Sequence, residues 1–233
     1  MSEGGRTWSQ LALGIGSLVV LLSVFAWFDK PECSPNHSSS DSGSRHVALV
    51  VDRSGSMDYL IQEVVDNVNL VLDTLPSRDR VSVLFFEAPF GVVTYAENMP
   101  ASEVRRLSAS DYFPLGGTPL YDAVGTAIEE VIAPTLGSGN AERFGLVIVL
   151  SDGEENSSSE YSLERTREVV ASAISQGIEI RFYGMGPAAS REAAALGIPI
   201  SNTIQVDSSA SGLGEAFDDV QRSLGQAESS PSC

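Results

Sequence analysis

Oxygen-bearing side chains occur at alternate positions directly after an apolar run. Asp52, Ser54 and Ser56 follow residues 47–51, which are all apolar. Hydroxyl and carboxylate oxygens are the ligands that hard divalent cations, above all Mg²⁺, take in proteins. The same residue types are also common in turns and at the N-caps of helices. The spacing is therefore compatible with a cation site and with an ordinary strand-to-helix turn.

Two later segments carry comparable residues. Thr118 follows two glycines and precedes Pro119, a position that suits either a helix N-cap or a hydroxyl facing a cation. Asp152 comes at the end of a second apolar run, residues 146–150. The carboxyl ends of parallel strands meet at one edge of an open α/β sheet, and ligands bind there. The residues that this pattern brings to one edge are Asp52, Ser54, Ser56, Thr118 and Asp152.

The surrounding elements alternate between strands and helices. Uninterrupted apolar runs are typical of strands buried on both faces, and apolar residues spaced by three and four predict amphipathic helices. The predicted strands are 47–51, 80–86, 92–95 (antiparallel, at the edge), 146–152, 178–183 and 203–206. The predicted helices are 59–75, 102–107, 118–132, 161–176, 190–196 and 213–224. This order predicts an α/β fold with a doubly wound, mostly parallel six-stranded sheet flanked by helices.

Taken together, these segments resemble the von Willebrand factor type A domain family. The resemblance rests on Asp52-x-Ser54-x-Ser56, on Thr118 in Gly-Gly-Thr-Pro, and on Asp152 in Ser-Asp-Gly. It implies a Rossmann-like fold with a complete metal-ion-dependent adhesion site. In the family, the residues matching Ser54, Ser56 and Thr118 ligate Mg²⁺, directly or through water. Those matching Asp52 and Asp152 largely hold metal-bound waters and hydroxyls. Mn²⁺ and Ca²⁺ are the alternative ions.

The resemblance implies a function in protein binding. Neutral hydroxyl ligands leave most of a divalent ion's charge uncompensated, so the ion attracts a carboxylate from an Asp or Glu of a partner. The chain has two histidines, His37 and His46, and neither belongs to a catalytic Ser-His-Asp or Cys-His arrangement at the predicted edge. We therefore predict a Mg²⁺-dependent adhesion or scaffold module rather than an enzyme. The alternatives are a metal-dependent phosphoryl or ester hydrolase and a structural tether whose metal only stabilises the fold.

The charge balance excludes one class of partner. The formal net charge is −17, from 14 basic and 31 acidic residues. Binding to nucleic acid or to an anionic lipid surface needs positive charge that displaces counterions. We therefore expect no nucleic-acid partner, whereas attraction of cations is favoured.

The first part of the chain predicts a membrane anchor. Residues 11–28 are uncharged and mostly apolar, close to the shortest length that spans a bilayer. We expect a single-pass anchor with the domain outside the cytoplasm; the alternative is a signal sequence cleaved near Ala26, which would give a secreted protein. The predicted organisation is a tail 1–10, the anchor 11–28, a Ser-rich linker 29–44, the domain 45–225 and a polar tail 226–233.

Two cysteines flank the predicted domain. Cys33 precedes it and Cys233 is the last residue of the sequence. Domain termini often lie close together, and an extracytoplasmic compartment permits disulfides, so a bond between the two is one interpretation. Two free thiols in the tails is the other. Some members of the family have a bond that bridges their termini in this way.

Overall fold

A computed structural model describes residues 44–136 and 144–226. The predicted anchor 11–28, the linker up to residue 43, the tail after residue 226, Cys33 and Cys233 lie outside these ranges and stay predictions. Within the described ranges, no helix combines the length and the apolar character that crossing a bilayer requires.

The described strands form one sheet. They are β1 (Arg45–Asp52), β2 (Arg80–Glu87), β3 (Gly91–Pro100), β4 (Phe144–Ser151), β5 (Glu179–Met185) and β6 (Thr203–Val206). Their order in space is β3-β2-β1-β4-β5-β6. Neighbouring strands run parallel except β3, which lies antiparallel to β2 at the edge. The predicted six-stranded, mostly parallel sheet is confirmed.

The two central strands, β1 and β4, are buried because both faces of the sheet are covered. Every residue of β1 is buried, and so are all residues of β4 after Phe144. Val47, Leu49 and Val51 belong to the core on one face, whereas the intervening Ala48 and Val50 belong to the core on the other. This burial accounts for uninterrupted apolar runs in place of alternation.

Helices cover the two faces. They are α1 (Ile61–Thr74), α2 (Leu120–Thr126), α3 (Ala133–Leu136), α4 (Leu163–Ser175), α5 (Pro187–Ala195) and α6 (Ala210–Gln226), with a π-helical segment, Ala127–Ile132, joining α2 to α3. Apolar residues of α1 and α6 pack on one face, and those of α2, α4 and α5 on the other. The sheet order reverses between β1 and β4, so the carboxyl ends of these strands form the crevice where such folds bind ligands.

Several predicted boundaries were wrong: the predicted helix 102–107 is only a short 3-10 helix, Ala101–Glu103, and three further differences follow. Residues Gly55–Leu60 form a 3-10 helix before α1, so the α-helix begins later than predicted. The edge strand β3 extends well beyond the predicted residues 92–95, because its half-exposed, partly polar sequence hides it from an apolar pattern. Thr118 is not a helix N-cap: α2 begins at Leu120, and the preceding Pro119 has a non-helical ψ of 65°.

Candidate metal site

Asp52, the last residue of β1, is fully buried and holds two loops in place. One carboxylate oxygen, Oδ1, accepts a hydrogen bond from the backbone N–H of Ser54 at 2.7 Å. The other, Oδ2, accepts from the hydroxyl of Ser151 at 2.6 Å. Because Ser151 is the last residue of β4, this carboxylate joins the ends of the two central strands.

A chain of hydrogen bonds runs from this carboxylate across the crevice. The hydroxyls of Ser54 and Ser56 lie 3.1 Å apart, and the Ser56 hydroxyl donates to Asp152 Oδ1 at 2.7 Å. Asp152 directly follows β4. The structure thus brings together four of the five residues that the sequence singled out, namely Asp52, Ser54, Ser56 and Asp152.

Thr118, the fifth residue, also lies at this crevice, but its contacts differ from those of the other four. Its side-chain oxygen would lie 3.1 Å from a Cβ placed on Gly153, so the hydroxyl faces the residue next to Asp152. Its backbone N–H donates to Asn156 Oδ1 at 2.9 Å, and its carbonyl accepts from the Asn156 N–H at 3.2 Å. In the described part of the chain, no hydrogen bond joins the Thr118 hydroxyl to the other four residues.

Backbone contacts fix the loops that carry these side chains. The Gly55 N–H donates to the Gly116 carbonyl at 3.0 Å, and the Ala88 N–H donates to the Gly117 carbonyl at 2.9 Å. Gly116 has a φ of 63°, and a Cβ there would lie only 1.9 Å from the Ala88 carbonyl oxygen. Only glycine fits this left-handed position against another backbone. The Thr118 loop can therefore approach the loops after β1 and β2 closely.

Arg53 and Glu87 form a buried ion pair next to the site residues. Arg53, between Asp52 and Ser54, donates through Nε and Nη2 to the two carboxylate oxygens of Glu87 at 2.9 and 2.5 Å. Its Nη1 donates to the Asp111 carbonyl at 3.1 Å. The Arg53 and Glu87 side chains are 4% and 0% exposed. This bidentate pair ties the first site loop to the end of β2, and sequence reasoning missed it.

The acidic segment after β4, residues 154–160, is held in place by hydrogen bonds to carboxylates. Glu155 accepts from the N–H groups of Ser157 and Ser158, and from the hydroxyl of Ser158. Asp122, on α2, accepts from three successive backbone N–H groups, those of Ser159, Glu160 and Tyr161. These carboxylates order the loop that includes Asn156, and through Asn156 they set the position of Thr118.

We expect Asn156→Ala to weaken Mg²⁺ binding by about 10- to 100-fold, the usual cost of losing a partner that orients a metal ligand. The reason is that Asn156 Oδ1 accepts from the backbone N–H of Thr118. Asn156→Asp, which keeps an accepting oxygen there, is the matched control. Calorimetric titration of both variants with Mg²⁺ checks this, and equal affinities in the two would contradict the positioning role.

Burial makes both site carboxylates hard to ionise. Desolvation is the largest cause that raises the pKa of Asp52 from 3.8 to about 6, against hydrogen bonds from Ser151 and Ser54 that lower it. Desolvation also raises the pKa of Asp152, against the opposing hydrogen bond from Ser56. A bound cation would compensate these charges, so the carboxylates favour cation binding.

The raised pKa of Asp52 makes stability depend on pH in a definite direction. The folded protein keeps the proton of the Asp52 carboxyl up to about pH 6, whereas the unfolded chain loses it above about pH 3.8. The stabilisation that this protonation gives to the folded state is therefore complete below pH 3.8 and is lost as the pH rises through 6. The loss amounts to about 3 kcal/mol at about 1.4 kcal/mol per pH unit. Urea unfolding in chelator at pH 4 and pH 7.5 should show this fall in the free energy of unfolding in the native protein, and a smaller fall in Asp52→Asn. An equal fall in the two proteins would show that Asp52 is not the group responsible.

The set of donor atoms fits a hard cation. Within residues 44–136 and 144–226, no group of three or more His, Cys, Asp or Glu could hold a metal ion. The candidate site instead offers three hydroxyls, those of Ser54, Ser56 and Thr118, beside the carboxylates of Asp52 and Asp152. Oxygen donors of this kind suit Mg²⁺, Mn²⁺ or Ca²⁺, whereas zinc sites usually include His or Cys.

These features define a class of protein: an open α/β domain with an oxygen-lined crevice at the ends of β1 and β4. The profile of the von Willebrand factor type A domain matches residues 46–219. The chain belongs to this family. No curated protein sequence matches it.

Solved structures share the fold at low sequence identity. Proximal thread matrix protein 1 (PTMP1) from the mussel byssus superposes with a TM-score of 0.61 at 20% identity, over 78% of this chain and 46% of that one. A form described as having a "zinc occupied MIDAS motif" superposes with a TM-score of 0.58 at 18% identity, over 78% of this chain and 46% of that one. The pilus adhesin SpaC from Lactobacillus rhamnosus GG gives 0.59 at 15%, over 79% of this chain and 30% of that one. This chain therefore spans less than half the length of these proteins.

Proposed function

We propose that this domain is a Mg²⁺-dependent protein-binding module that captures an Asp or Glu side chain of its partner. One observation carries the proposal: the hydrogen-bonded chain Asp52–Ser54–Ser56–Asp152 at the sheet crevice, with the Thr118 hydroxyl beside Gly153. Thread matrix protein and pilus adhesin are the names of two proteins with this fold, which supports an adhesion or scaffold role over an enzymatic one.

Each residue has its own part in this proposal. The hydroxyls of Ser54, Ser56 and Thr118 would hold the ion. Asp152 orients the Ser56 hydroxyl, and each oxygen of Asp52 accepts a hydrogen bond, one from the Ser54 backbone and one from Ser151. When bound, the cation supplies a positive centre that attracts a carboxylate. Since the donors are mostly neutral, that positive charge stays available to a partner.

The proposed ion is Mg²⁺, with Mn²⁺ and Ca²⁺ as alternatives. The zinc-bearing relative supports metal binding at the corresponding place in the family. The donors in this chain are all oxygens, and hard cations prefer these to the nitrogen and sulfur ligands that select zinc. Competition between Mg²⁺ and Zn²⁺ in one calorimetric series decides the preference.

We further propose that the domain works outside the cytoplasm, tethered to the membrane through residues 11–28. The support is the uncharged, apolar character of that segment. Release of the protein after cleavage near Ala26 is the alternative, and N-terminal sequencing of the protein from its native host separates the two. A disulfide between Cys33 and Cys233 belongs to the same proposal, and mass spectrometry without reduction tests it.

The decisive experiment combines metal titration with partner capture. Calorimetry with Mg²⁺ should show one site per chain, and affinity capture from the native cell surface should retain a protein in Mg²⁺ and lose it in chelator. Turnover of a phosphoester that depends on the metal would instead support a hydrolase. Metal binding that raises the melting temperature without any captured protein would support a structural tether.

A further inference from the structure

Most of the site residues lie in segments that also carry large, exposed apolar side chains. The described residues include eight exposed large hydrophobic side chains. Four of these, 42% to 61% exposed, lie between β1 and α1, between β2 and β3, and before α2. The four are Tyr59, Phe90, Phe113 and Leu115, called the apolar rim below. The other four are Leu70, Phe144, Ile174 and Ile200, which lie on α1, at the start of β4, on α4 and before β6. Single exposed apolar residues of that kind are normal, whereas several on the segments around one site mark a candidate interaction surface.

Phe113 and Leu115 are fixed to Arg53, the residue between Asp52 and Ser54. The Phe113 ring centroid lies 4.1 Å from the Arg53 guanidinium carbon. The Leu115 N–H donates to the Arg53 carbonyl at 2.9 Å. Because Arg53 is itself held by Glu87, the two apolar side chains are presented from a fixed support. Little conformational entropy would be lost when they contact a partner.

Phe90 and Tyr59 lie at two other sides of the site. Phe90 is the third residue after β2 and the second after Ala88. The Ala88 N–H donates to the carbonyl of Gly117, the residue before Thr118. Tyr59 lies in the 3-10 helix that includes Ser56. Tyr59 is three residues after Ser56 in this helix, and its side chain is 51% exposed.

The charges around the apolar rim restrict what can bind. Arg53, Arg105 and Arg191, which contact these loops, are each paired with a carboxylate: Glu87, Asp111 and Glu154. The Arg53 pair is buried, and each of the two exposed arginines has an acidic neighbour that offsets its charge. Asp58, beside Tyr59, is exposed and would repel additional acidic groups. The partner's acidic residue should therefore not be flanked by further acidic groups.

We infer that the site and its apolar rim form one binding surface, which fits a protein segment with a single Asp or Glu flanked by apolar side chains. This inference rests on the proposed function, because the metal site is what would recognise the carboxylate. The rim adds the selectivity. Exposed aromatic residues near the centre of an interface commonly carry much of the binding energy, so flanking apolar residues on the partner should bind most tightly.

A peptide array provides the test. The probes are immobilised peptides with one central Glu flanked on each side by two Leu, two Ser or two Glu residues, and the full chain is applied in Mg²⁺ or in chelator. We expect the Leu-flanked peptide to bind at least about tenfold more strongly than the Ser-flanked one, which corresponds to at least about 1.4 kcal/mol. The Glu-flanked peptide should bind most weakly, and chelator should abolish all binding.

Variants assign the selectivity to the apolar rim. Phe113→Ser and Leu115→Ser should each lower binding of the Leu-flanked peptide by at least fivefold while Mg²⁺ affinity is unchanged. Ile200→Ser removes a side chain that is 88% exposed but lies before β6, and it should change nothing. Equal Mg²⁺-dependent binding of Leu- and Ser-flanked peptides would overturn the apolar-rim inference and leave the proposed function standing. Failure of every peptide to bind in a Mg²⁺-dependent way would overturn carboxylate capture itself.

Discussion

Glu87→Gln should lower the free energy of unfolding by about 3–5 kcal/mol, the loss expected when a buried charge is left without its partner. The Glu87 carboxylate accepts two hydrogen bonds from the Arg53 guanidinium, and both side chains are almost fully buried. The neutral amide of Gln can accept only one such bond in place of the bidentate pair. Urea unfolding in chelator measures the loss, and chelator keeps the metal from masking it.

The double variant Arg53→Met with Glu87→Met is the control. It removes both charges and fills the space with apolar side chains, an exchange that is often neutral or stabilising for a buried ion pair. We expect it to recover most of the stability lost in Glu87→Gln. The pair would have no structural role if Glu87→Gln unfolded at the same urea concentration as the native protein. If the double variant were less stable than Glu87→Gln, the contribution of the two residues would not come from the pairing of their charges.

Thr118→Ala should lower Mg²⁺ affinity by at least about tenfold and abolish capture that depends on the metal, while the fold is retained. The backbone of Thr118 is held by Asn156 through both its N–H and its carbonyl, so truncating the side chain leaves the loop in place. Thr118→Ser, which keeps a hydroxyl, should bind Mg²⁺ almost as the native protein does. Calorimetry and capture in parallel measure both effects.

Thr118 is a cleaner test than Asp152. Asp152→Ala should weaken metal binding further, but it also removes the acceptor of the Ser56 hydroxyl and so disturbs the loop after β1. Native affinity in Thr118→Ala would remove this hydroxyl from the proposed ligands. A loss of equal size in Thr118→Ala and Thr118→Ser would point to packing and not to the oxygen.

The central strands and the residues at their ends could be predicted because the signal is local. The apolar runs that end at Asp52 and before Asp152 reflect strands covered on both faces, and parallel strands place such ends side by side. The type A resemblance added Thr118 to the same edge. The overall fold could therefore be predicted from pattern and turn chemistry, with errors at the start of α1, the length of β3 and the cap of α2.

The supporting contacts could not be predicted, because they join residues far apart in sequence. Ser151 meets Asp52 across 99 positions, and Asn156 meets Thr118 across 38. Arg53 and Glu87 are residue types that are almost never fully buried unless paired, and nothing near either one reveals its partner. The pair becomes visible only when β1 and β2 lie side by side, with Asp52 next to Phe86.

Anomalous scattering from crystals soaked in Mn²⁺ tests the central claim most directly, since Mn²⁺ takes the place of Mg²⁺ at oxygen-lined sites. The account predicts one strong peak within about 2.5 Å of the side-chain oxygens of Ser54, Ser56 and Thr118, and a weaker peak in the Thr118→Ala variant at the same Mn²⁺ concentration. A fully occupied ion elsewhere on the domain, with no peak between these three hydroxyls, would contradict it.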